Sequence, residues 1–134
     1  MTLAPRGDTV ALARALVAID SRNPSLVAGA PGERACAKAL AATLNTWGFR
    51  DVELQDSGSD RPNVIARLGA PDGRSLILNG HLDVVGTEGM THAPFAAELR
   101  DGRLWGRGAA DMKGGVAAMC AAAVHALDAD TLAG

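Results

Sequence analysis

The stretch that decides the fold is Leu76-Ile77-Leu78-Asn79-Gly80-His81-Leu82-Asp83-Val84-Val85. It opens apolar and carries a His and an Asp two residues apart at its far end. Alternate side chains share a face on extended backbone, so His81 and Asp83 point the same way. Asp83 can then accept a proton from one ring nitrogen while the other nitrogen faces a metal. Residues 75–79 read as a continuous apolar run. Residues 63–68 alternate weakly and are rich in branched side chains, and Ala70-Pro71-Asp72-Gly73 between the two is turn chemistry. This pattern predicts two neighbouring buried strands.

Working towards the N-terminus, Asp8 can cap a helix running to about residue 20, with Leu12, Leu16 and Ile19 as its apolar stripe and Asn23-Pro24 as its stop. A second helix fits 32–47, where Leu40, Leu44 and Trp47 repeat the spacing and Gly48 can end it in the left-handed conformation. Residues 49–54 then read as a short strand. Towards the C-terminus, Asp101-Gly102 at the centre of the alternating stretch 98–105 predicts a two-residue hairpin. Alanine-rich chain from Lys113 or Gly114 to about Leu127 predicts a third helix. This order implies an α/β domain with helix-sheet-helix layers.

The 134 residues allow one domain at most. Hydrophobic residues make up 48% but aromatics only 3%, so the core must be built from closely packed Ala, Leu and Val. A net charge of −2 with scattered Lys and Arg gives no basic field, which argues against nucleic acid as a partner. Cys36 and Cys120 have no second Cys or His at metal-binding spacing and read as buried reduced thiols. Arg6, Asp8 and Arg14 interrupt what would have to be the apolar core of a signal peptide. The longest uncharged run near the end, 114–127, falls short of the roughly 20 residues that span a bilayer. No membrane partner and a cytoplasmic location are therefore expected.

A second constellation is Trp105-Gly106-Arg107-Gly108-Ala109-Ala110-Asp111-Met112-Lys113-Gly114-Gly115. Its small residues let the backbone bend and set Asp111 in a loop just before the third helix. A carboxylate there is a hard ligand able to bridge two zinc ions, and the hairpin between His81 and Asp111 lets the two segments meet. A dinucleotide loop fits poorly, because Asp111 stands where the third glycine would be and its charge would repel a pyrophosphate. Lys113 is followed by Gly114 rather than Ser or Thr, so a phosphate loop fits no better.

Three ordered segments, Gly80-His81-Leu82-Asp83-Val84-Val85, Thr91-His92-Ala93-Pro94-Phe95, and 101–108 with Asp111-Met112-Lys113-Gly114-Gly115, resemble the co-catalytic zinc peptidases and deacylases. That family includes acetylornithine deacetylase, succinyl-diaminopimelate desuccinylase and aminoacylase. The resemblance covers nearly the whole chain, as the N-terminal part of the catalytic domain. Residues 89–95 look most like the acetylornithine deacetylase branch. The resemblance implies a zinc-dependent amidohydrolase of small N-acyl amino acids with two zinc ions, or cobalt in their place, and a homodimer in the complete protein. By the same resemblance His81 ligates one zinc, Asp111 bridges both, the catalytic Asp83 holds the His81 ring in its metal-binding tautomer, and the Asp111–Met112 peptide is cis.

Relatives also carry a Glu-Glu pair beyond the bridging Asp, serving as general base and ligand. They have a final His ligand and an inserted smaller domain for lid and dimer contacts. This sequence ends at Gly134 without them, and none of Glu33, Glu53, Glu88 or Glu98 stands at a matching position. Residues 1–134 are therefore expected to be a partial catalytic domain without turnover of its own. The rival readings are a non-catalytic binding or assembly module and a truncated gene model. His92 beside Pro94 and Phe95 reads as a solvent or cleft residue rather than a ligand, and His125 as packing or surface. Arg107 and Lys113 are open to two readings, contact with an anionic substrate or with solvent and backbone.

Overall fold

A computed structural model describes residues 4–56, 58–72 and 74–129. Helix α1 (Thr9–Val17) starts where the Asp8 side chain accepts a hydrogen bond from the Ala11 N–H at 2.9 Å, which satisfies one of the free donors of the first turn. Helix α2 (Arg34–Thr46) ends at Trp47, with Gly48 at φ +89° carrying the chain out in the left-handed conformation. Helix α3 spans Gly114–Asp128. Strands β1 (Arg50–Gln55) and β2 (Asn63–Arg67) pair antiparallel, with Leu54 opposite Val64 and an irregularity between Arg50 and Glu53. Strands β3 (Glu98–Arg100) and β4 (Arg103–Trp105) form the expected hairpin. Asp101 at φ +52° and Gly102 at φ +71° supply the two positive angles that a primed turn requires.

The core lies between the helices. Leu12 and Leu16 of α1, Cys36, Leu40 and Leu44 of α2, and Val116, Ala117, Ala121 and Val124 of α3 are buried together. Trp47 closes the cluster, its indole N–H donating to the Ala4 carbonyl at 2.9 Å. Small side chains at 117 and 121 let α3 approach α1 closely, and α2 packs on β1 and β2. The result is the α/β character expected, built from helices and two small antiparallel sheets. No helix among the described residues is long and apolar enough to cross a membrane.

Three local expectations need correction. Residues 75–79 form no strand: β2 takes β1 as its partner, and Leu76 and Ile77 are 83% and 86% exposed. A continuous apolar run signals two covered faces, but this one is exposed throughout, and the chain closes on α3 only at Gly80, where a Cβ would stand 3.0 Å from Val116 and Met119. Gly73, the last residue of the expected turn, lies outside the described residues. Helix α1 stops at Val17 rather than near residue 20, because the Lys113 ammonium takes the Leu16 and Ile19 carbonyls, each at 2.8 Å. Helix α2 starts at Arg34 rather than 32, and Glu33 does not cap it because its carboxylate is turned to Arg61.

Candidate metal centre

One parallel bridge holds the segment that carries His81 and Asp83. Val84 N–H donates to the Ser21 carbonyl at 3.0 Å, Asn23 N–H to the Val84 carbonyl at 2.9 Å, and the Ser21 hydroxyl to the Leu82 carbonyl at 2.7 Å. Val84 is buried and Leu82 half-buried against the core. The alternation of extended chain then turns His81 and Asp83 outwards on the opposite face.

Asp111 reaches the same place by a tight loop. Gly108 sits at φ +82°, and a Cβ there would lie 2.5 Å from the Val84 side chain, so only glycine lets the loop press against the 81–85 segment. Behind it Lys113 N–H donates to the Gly108 carbonyl at 2.8 Å. The Lys113 side chain is fully buried on the last turn of α1, and burial pushes its pKa down. Of its two open roles, the structure assigns Lys113 to backbone contacts. The Asp111–Met112 peptide is cis.

His81 Nε2 stands 3.1 Å from Asp111 Oδ1, while Nδ1 stands 2.9 Å from the Asp83 main-chain carbonyl and 3.4 Å from Asp83 Oδ1. The carboxylate expected to hold the ring is thus the longer of two contacts from the same residue. Both ring nitrogens face acceptors, yet a neutral imidazole carries a single N–H. Both ends are satisfied only when the ring is an imidazolium or when a cation stands between Nε2 and Asp111. Partial burial works against the protonated form, but the Asp83 carbonyl and the Asp111 carboxylate outweigh it and leave the His81 pKa above its ordinary value.

The 3.1 Å separation also suits a shared ion: two ligands about 2.0–2.1 Å from one tetrahedral zinc stand about 3.3 Å apart. This pair would supply one edge of such a site. Among the described residues no group of three or more His, Cys, Asp and Glu is arranged to hold a metal ion, so the rest of a zinc coordination shell is not supplied there. The pair opens on a cleft of about 190 Å³ whose wall includes Val85, Gly106 and Arg107.

The other sequence candidates lie elsewhere. His92 packs edge-on against Trp105, with ring centroids 5.2 Å apart at 87°, and lines a separate cleft with Leu99 and Leu104. His125 Nε2 contacts the Gly7 carbonyl at 3.0 Å. Sequence reading missed a group behind Asp83. Asn23 Nδ2 donates to Asp83 Oδ2 at 2.7 Å, Arg61 Nη2 lies 3.5 Å from the same oxygen, and Arg61 Nε donates to Glu33 Oε1 at 2.7 Å. Asn23-Pro24 was legible only as a helix stop, and no local pattern links it to Arg61.

Residues 77–133 match the family model described as Peptidase family M20/M25/M40. The chain is 43% identical over 125 residues to a succinyl-diaminopimelate desuccinylase of Methylorubrum extorquens, covering 89% of this chain and 30% of that protein. It is 45% identical over 103 residues to one of Methylobacterium radiotolerans, covering 73% and 26%. With one of Gluconobacter oxydans it shares 41% over 130 residues, covering 95% and 32%. The chain thus spans about a third of the length of the curated relatives it matches.

Proposed function

Because the chain belongs to peptidase family M20/M25/M40, we propose that it is part of a metal-dependent hydrolase that cleaves the amide bond of small N-acyl amino acids. The observation that carries this reading is the imidazole of His81 facing the Asp111 carboxylate at 3.1 Å beside an open cleft. In this reading His81 and Asp111 hold zinc, or cobalt in its place, and Asp83 orients the His81 ring. A bound divalent ion supplies polarisation of the amide carbonyl and activation of water. Arg107 on the cleft wall suits a substrate carrying a carboxylate.

The names of the relatives favour an N-succinyl substrate, whereas residues 89–95 look like the acetylornithine deacetylase branch. Residues 1–134 make a partial catalytic domain, with the general base, the remaining ligands and any dimer contacts supplied by sequence beyond them, in a cytoplasmic enzyme. The test is hydrolysis of N-succinyl-diaminopimelate and N-acetylornithine, with added zinc or cobalt, by the 134-residue polypeptide and by a longer form carrying the Glu-Glu pair. We expect turnover from the longer form only, faster on the succinyl substrate. Equal turnover by the short form would refute the partial-domain reading, and no hydrolysis of either substrate by the longer form would refute the hydrolase.

A second reading, a non-catalytic assembly module, is favoured by the exposed Leu76 and Ile77. Light scattering distinguishes it, since a monomer at all concentrations rules out self-assembly.

A further inference from the structure

We infer that Asn23 and Arg61, the latter aimed by Glu33, are positioning residues that fix the rotation of the Asp83 carboxylate and through it the ring of His81. This inference rests on the metal-site reading of His81 and Asp111 above. The geometry divides the carboxylate in two. Oδ2 receives the Asn23 amide at 2.7 Å and faces the Arg61 guanidinium at 3.5 Å, while Oδ1 is left 3.4 Å from His81 Nδ1, which also meets the Asp83 main-chain carbonyl at 2.9 Å.

Asn23 is itself held at both ends. Its Oδ1 accepts from the Ser25 N–H at 2.8 Å, its own N–H donates to the Val84 carbonyl at 2.9 Å, and Pro24 restricts it to extended backbone. The amide is therefore oriented with its NH₂ group towards Asp83. Arg61 is fixed in turn by Glu33, which is 9% exposed and takes Nε at 2.7 Å, leaving Nη2 for Asp83. A guanidinium can serve two carboxylates from one rigid plane, which an ammonium on a flexible stem does not do. A carboxylate clamped on one oxygen cannot rotate away, so Oδ1 stays at 3.4 Å beside the 2.9 Å bond between Nδ1 and the Asp83 main-chain carbonyl, and together they favour the proton on Nδ1 and leave Nε2 towards Asp111. Partners of this kind commonly change metal affinity by about 10–100-fold when removed.

The experiment reads the ring directly. Two-bond ¹⁵N–¹H correlation spectra of the metal-free 134-residue chain, at a pH where its imidazoles are neutral, give the tautomer of His81, and cobalt titration of the same samples gives affinity. We expect the Nδ1–H form to dominate in the parent chain. In Asn23→Ala and Arg61→Gln the Nε2–H share should rise several-fold, and cobalt binding should weaken about 10–100-fold. Should Arg61→Gln fail to fold, Arg61→Lys, which keeps the charge without the fork, is read in its place with the same expectation. A loss of stability with an unchanged tautomer ratio would show a merely structural tie and overturn the inference. A parent chain that takes up no cobalt counts against the metal reading alone, and the tautomer ratio then decides the positioning role by itself.

Discussion

Helix α3 and the 76–78 segment are both apolar in sequence and opposite in fate. On α3, Val116, Ala117, Ala121 and Val124 are all at most 4% exposed, whereas Leu76, Ile77 and Leu78 stand 83%, 86% and 48% exposed although the neighbouring Gly80 touches the same helix. The difference is one of supply. Helical spacing gathers side chains on one stripe, which the cluster built by α1 and α2 covers. A continuous extended run has two faces and two hydrogen-bonding edges to satisfy. Here neither face is covered: Leu76 and Ile77, on opposite sides, are both more than four-fifths exposed.

Four measurements break or sharpen that contrast. Leu16→Ala empties fully buried space between α1 and α3 and should cost about 2–5 kcal/mol in urea unfolding; a change below 1 kcal/mol would mean that the helical core is loose. Lys113→Met keeps the length of the buried side chain but removes the ammonium from the Leu16 and Ile19 carbonyls, of which Leu16 keeps the Ile19 N–H, with an expected loss of about 1–3 kcal/mol. The Cys120 thiol on α3 is pushed up by burial to about 11 from 9.0. An unfolded thiol ionises first, so the unfolded chain binds fewer protons in this window, and stability should fall as pH rises from 9.0 to about 11. Cys120→Val should flatten that slope, and an unchanged slope would assign it to other groups. Ile77→Ser, in the uncovered run, should move stability by no more than about 0.5 kcal/mol; a larger loss would show that a partner covers this segment in solution.

Legibility followed how local each signal is. Asp101-Gly102 could be read because a primed turn asks for positive φ at two adjacent residues and those types tolerate it. The helices could be read from their stripes and from Asp8 and Gly48. Their ends moved where side chains bond at long range, Lys113 across to α1 and Glu33 to Arg61. His81, Asp83 and Asp111 were legible as a candidate site because each lies in a short distinctive motif, and the structure brings the three together. Asn23, Arg61 and Glu33 come from three separate segments with no pattern of their own. Only the folded chain, through the bridge between Arg22 and Val84, places them side by side. The 75–79 strand was misread because composition records how much apolar surface a segment carries and not which neighbour covers it.

With two tryptophans and no tyrosine, the chain carries a pair of optical reporters in contrasting places. Trp47 is sealed at 1% exposure. Trp105 is half-buried, with the Arg100 guanidinium 4.4 Å above its ring, at the head of the loop that leads to Asp111. A water-soluble quencher will dim the second and spare the first. Loosening around Asp111 can thus be watched by emission alone, separately from melting of the helical interior.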